Sequence, residues 1–193
     1  VGDMLLYFTT DVNAHFAHDF LPILTTISQT RLIIGGLIGP FASFLYAIGF
    51  YQIYLAIKPS SKNMSKIIFI LLSIGIIYGG SFHSFFPHLA FMSLTDNQEA
   101  LKLAEVYSLS VIYIMILFSL VGQLILTYLI LTKKTYYPRW IILLSPIVLL
   151  WFSVLIELLP HPYGVIASSS WGNMVFIIFF SISTITLLKK NYE

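Results

Sequence analysis

Asp11, His15, His18 and Asp19 fall within the stretch DVNAHFAHDF of an otherwise apolar chain. On a helix they sit at i, i+4, i+7 and i+8, which is one face. Imidazole nitrogen and carboxylate oxygen are zinc ligands, and a catalytic zinc keeps three protein ligands and a water. Such a water is a nucleophile near neutral pH. The spacing therefore allows a divalent metal such as zinc, held by His15, His18, Asp11 and Asp19, with His161 as a further ligand from a distant loop. The plainer reading is structural. Val12, Phe16 and Phe20 form an adjacent apolar stripe, and Pro22 limits the helix. The same residues thus describe an amphipathic helix over about 11–20, lying at the outer membrane interface.

A second group of ionisable residues falls at the ends of long apolar segments. GGSFHSFFPHLAF places His83 near one end and His88 just past Pro87. IELLPHPYG places Glu157 after an apolar run and His161 between two prolines. An ionisable side chain inside a membrane is costly and faces a bundle interior or a cavity, which makes it a functional candidate. Glu157, His83 and Asp3 are accordingly the candidate acid–base groups. An ordinary ion pair, for example between Glu157 and Arg31, is the structural alternative. Arg31, Asn173 and His88 are candidate substrate-binding groups, Arg31 as an anchor for an anionic headgroup. Gln123 reads as an interhelical hydrogen bond.

These residues must be positioned by membrane helices. The chain has 193 residues, 58% hydrophobic and 9% charged, with a mean hydropathy of +0.90. Soluble domains carry roughly a quarter charged residues. The fold class is therefore all-α: a polytopic transmembrane bundle forming a single integral-membrane domain over 1–193. Full spans are expected at about 31–57, 67–86, 103–131, 140–159 and 166–188, each near the ~20 residues a bilayer requires. The opening VGDMLLYF covers only ~12 Å as helix and reads as the tail of a further span over 1–8. A short re-entrant segment is its rival. Small residues at four-residue spacing mark close helix contacts. Gly35, Gly39, Ser43 and Ala47 form one such stripe. Gly75 and Gly79 form another that leads to His83 and points it into the bundle. Tyr51, Tyr54, Tyr136, Tyr137 and Trp140 read as an aromatic belt.

Alternating spans put Lys58, Lys62, Lys66, Lys133, Lys134, Arg139, Lys189 and Lys190 on one side, leaving Arg31 and Lys102 on the other. Positive residues stay inside. The expected location is thus the cell membrane, multi-pass, with a cytoplasmic C-terminus. All five histidines then fall in the outer half. The absence of cysteine excludes disulfides, thiol nucleophiles and cysteine metal sites. A net charge of +2 without a basic groove-reading stretch speaks against nucleic acid. The partners are the bilayer and a lipid or other apolar small molecule. Ile, Lys, Asn and Tyr usage fits a bacterial genome rich in A and T. The function favoured is binding, transport or a complex-subunit role, around a His/Asp/Glu-rich outer face. The alternative is a membrane-embedded, metal-dependent enzyme acting on a lipid or other apolar substrate at the outer leaflet.

Overall fold

A computed structural model describes residues 1–11, 20–95 and 97–190. The described residues are helical or connecting, with α1 (Gly2–Tyr7), α2 (Phe20–Thr26), α3 (Gln29–Ile57), α4 (Lys62–Ser93) and α5 (Gln98–Leu131) in order. A broken segment follows, made of a 3-10 turn (Arg139–Leu144), α6 (Pro146–Leu149), a second 3-10 turn (Leu150–Phe152) and α7 (Ser153–Ile156). The chain closes with α8 (Tyr163–Lys190). Four of these, α3, α4, α5 and α8, are long and apolar enough to cross a membrane.

Polar side chains start the long helices. Ser28, Ser61 and Asn97 accept from the backbone N–H of Arg31, Met64 and Ala100, satisfying donors that a helix start leaves unpaired. Short connections make α3, α4 and α5 antiparallel neighbours. Glycine lets α3 and α4 approach closely. A Cβ on Gly36 would meet Pro87 Cγ at 2.9 Å, and one on Gly80 would collide with the Ser43 hydroxyl. That hydroxyl also donates to the Ile76 carbonyl of α4 at 2.8 Å.

Two expectations change here. Gly75 and Gly79 do not share a contact surface with His83. They face Ser119 and Met115 of α5, whereas His83 and Gly80 face α3. Eight residues advance a helix by two turns plus about 80°, enough to carry His83 round to the other neighbour. Pro87 does not end α4, which continues to Ser93. The gap left by Gly36 accommodates the proline ring.

The segment expected as a continuous span over 140–159 is instead broken. Ser145 is extended (φ −73°, ψ 152°), as the residue before proline prefers. Pro146 then restarts the helix. The path still runs back along α8: Tyr137 bonds Ser183 at 2.7 Å and the Trp171 indole donates to the Leu149 carbonyl at 2.9 Å. Tyr137 is therefore a core residue, 3% exposed, and not part of an interfacial belt. Tyr51 and Tyr54 do stack on each other, with Lys58 over the Tyr54 ring.

α8 lies parallel to α3 through a cluster of Tyr46, Phe50, Phe176 and Phe180. The end of α3, the loop after α5 and the end of α8 meet at one end, where the Tyr136 N–H donates to Ala56. The basic residues therefore gather at that end. At the other end α1 and α2 cover Leu32, Phe86 and Leu89 with Leu6, Tyr7 and Leu24.

Candidate functional site

The site is built where α1 enters the bundle. Gly35 makes room for it, since a Cβ there would press into Leu6 at 2.6 Å. Arg31 fixes its far end. The guanidinium donates to the carbonyls of Leu5 at 3.0 Å, Met4 at 3.2 Å and Phe8 at 2.9 Å. A helix C-terminus leaves its last carbonyls without intrahelical partners, and a planar fork of donors suits them. Arg31 thus anchors α1 with three of its five N–H donors.

With α1 anchored, Asp3 points inward and is 5% exposed. One carboxylate oxygen, Oδ1, lies 3.3 Å from His83 Nε2 of α4. The other, Oδ2, accepts from the Asn173 amide of α8. The Asn173 carbonyl oxygen in turn accepts from the Tyr46 hydroxyl of α3. A single chain of polar contacts, His83 to Asp3 to Asn173 to Tyr46, therefore links four helices inside an apolar bundle. The imidazole lies on Gly39, where a Cβ would collide with His83 Cβ. Its edge is closed by Phe86, with ring centroids 5.2 Å apart. His83 Nδ1 is buried without a hydrogen-bond partner among the described residues.

Chemically, a carboxylate on one imidazole nitrogen fixes the ring and its tautomer and leaves the other nitrogen to accept or donate. Asp3 and His83 could supply two ligands to a metal ion. Among the described residues no group of three His, Asp or Glu side chains gathers around such a point.

The remaining candidates divide by place. His15, His18 and Asp19, and with them most of the helix expected over 11–20, lie outside the described residues. Asp11 is exposed, and its N–H donates to Thr9 Oγ1 at 3.1 Å. His161 reaches the same strand of chain, with Nε2 3.2 Å from the Thr9 carbonyl. It shares an end of the bundle with Asp3 but touches backbone there. Glu157 is exposed at the end of α7, and the ion pairs formed among the described residues do not include one between it and Arg31. His88 is exposed and stacks on Phe85. Gln123 is buried, and neither amide atom finds a partner among the described residues, so the interhelical bond expected of it is not formed there.

Tyr46 is the member that sequence reasoning missed. The signal was present: it stands seven residues after Gly39 and three after Ser43, on the small-residue side of α3. It also stands well inside a span, away from the ends where tyrosine is ordinary.

The profile of a family of unknown function (DUF6796) matches residues 1–190. No curated protein and no solved structure matches the chain.

Proposed function

We propose, for a chain that belongs to DUF6796, a family of unknown function, a multi-pass membrane protein of the binding, transport or complex-subunit class. Its working site is the chain His83–Asp3–Asn173–Tyr46, and the site takes a small polar group from a ligand that is otherwise apolar. One observation carries this reading: a buried carboxylate is met by polar side chains of two other helices and linked through Asn173 to a third, so that one polar chain joins four helices. Ionisable groups at such a position are costly and are kept for a purpose.

The topology belongs to the same proposal. The broken segment over 139–159 is the fifth crossing, because it runs the length of α8 in the opposite direction. The chain is one membrane domain in the cell membrane. The basic end is cytoplasmic by the positive-inside rule, so the C-terminus is inside and the site lies in the outer half. The composition suits a bacterial protein, and lipid is its first partner.

Native mass spectrometry of the full chain, released into mild detergent, tests the site. The wild type should retain one small molecule, and Asp3→Asn and Asn173→Ala should each lose it while staying folded by circular dichroism. A wild type that retains nothing, or variants that retain the same species, would overturn the reading.

A second reading rests on the Asp3–His83 pair. Asp3 engages Nε2 and leaves Nδ1 as a candidate general base. The protein would then be a membrane-embedded enzyme acting on a lipid at the outer leaflet. Phospholipid vesicles should be turned over by the reconstituted wild type and not by His83→Gln. Equal turnover by both would remove this alternative.

A further inference from the structure

At the basic end of the molecule, a groove of about 320 Å³ runs between Trp140 and α8. Its α8 wall is Ile182, Ile185, Thr186 and Lys189. The order along the helix is informative. Ile182 and Ile185 come first, then the Thr186 hydroxyl, then the Lys189 ammonium, over seven residues or about 10 Å of helix. The groove therefore changes from apolar to cationic along the direction in which a lipid changes from acyl chain to headgroup. Trp140, half exposed at 51%, faces it from the opposite wall. An indole with one N–H donor suits the boundary between hydrocarbon and headgroup. Arg139 is adjacent in sequence, and among the described residues no acid lines the groove. Thr186 donates its own hydroxyl hydrogen to the Ile182 carbonyl at 2.8 Å, so Lys189 and the Trp140 indole are the donors left for a headgroup.

We infer that this groove is a binding site for an anionic phospholipid, with the phosphate and headgroup at Lys189 and Trp140 and one acyl chain along Ile185 and Ile182. Charge complementarity selects the anionic class, because basic pockets between helices at the positive end of a membrane protein attract such headgroups. The site is independent of the Asp3–His83 cluster, which lies at the other end of the bundle. It assigns a role to the end of α8 that the polar cluster does not use.

The test is lipid competition on the full chain in mild detergent, read by native mass spectrometry. Phosphatidylglycerol and phosphatidylcholine with identical acyl chains are supplied in equal amounts. The first lipid bound should be phosphatidylglycerol by about fivefold, the contribution of one basic residue near an anionic surface. Lys189→Gln should abolish that preference and Trp140→Ala should reduce it. Lys62→Gln, an exposed lysine outside the groove, should keep it. Equal binding of the two lipids by the wild type would overturn the inference. So would a preference that survives Lys189→Gln, or one that Lys62→Gln removes equally. Displacement of the bound lipid by glycerophosphoglycerol at the same concentration would also overturn it, because the acyl chain would then contribute nothing.

Discussion

Asp3 is met by His83 on one oxygen and by Asn173 on the other, and Asn173 is held by Tyr46. A chain of this kind strengthens its members mutually in a low-dielectric interior. Removing one donor should therefore be felt by the others. Tyr46→Phe should lower the unfolding free energy by about 1 kcal/mol, read by thermal unfolding in detergent. Combined with Asp3→Asn, its effect should fall short of the sum of the two single changes by about 0.5 kcal/mol or more. Strict additivity would show that the residues do not act as one network. Tyr137 makes a separate prediction. Burial pushes its phenol up, against a smaller downward effect of the Ser183 bond. A raised folded-state pKa means that the neutral form is favoured in the fold. The associated stability is full below the unfolded-state value, near ~10, and is lost as the pH rises above it. Tyr137→Phe should lessen the alkaline loss of stability in a pH series of melting curves.

Helix contacts decide whether that network can exist at all. α3 and α4 meet through Gly36, Gly39 and Gly80, and the His83 ring rests on the bare backbone of Gly39. Gly39→Ala places a methyl inside His83 Cβ, which belongs to the helix itself and cannot swing aside. It should cost more than about 2 kcal/mol, as overpacking in a close interface does. Gly172 is the control, since a Cβ there meets nothing within 4 Å. Gly172→Ala should be neutral or gain up to about 1 kcal/mol from helix propensity. Arg31 sets the position of α1 in the same way. Arg31→Met removes three donors from the carbonyls of Met4, Leu5 and Phe8. Hydrogen exchange should then rise in α1 while α3 and α4 keep their protection. Unchanged exchange in α1 would show that Asp3 and the packing of Leu6 and Tyr7 hold it without Arg31.

At the scale of the whole molecule, the basic residues mark one end and the Asp3 cluster lies towards the other. The chain contains no cysteine, so a single introduced thiol reports its side without background. Lys62→Cys and Lys134→Cys should be labelled by an impermeant maleimide only after the cytoplasmic face is opened. Thr95→Cys, between α4 and α5, should be labelled from outside in intact cells. Labelling of all three from one side would refute alternating crossings. The long helices were legible in the sequence because hydrocarbon leaves the backbone no partners but its own, which forces long apolar runs. Their ends were less legible. α4 passes through Pro87, whose ring packs into the space that Gly36 leaves, and 139–156 breaks at Ser145, the residue before a proline.

The sequence by itself determined the all-helical membrane architecture, the clustering of Lys and Arg at one end and the short list of ionisable residues. Composition and hydropathy act locally along the chain, so they can be read from it. Tertiary structure decided which members of that list meet. Asp3, His83 and Asn173 are separated by as many as 170 positions along the chain, and they come together only because glycines let α1, α3 and α4 approach. Helical phase carried His83 away from the Gly75–Gly79 face and towards Asp3. The packing of α8 on α3 brought Tyr46 to Asn173, a contact with no trace in any single stretch of sequence. Periodicity records which way a side chain turns on its own helix. What it turns toward depends on the separation and rotation of the neighbouring helices.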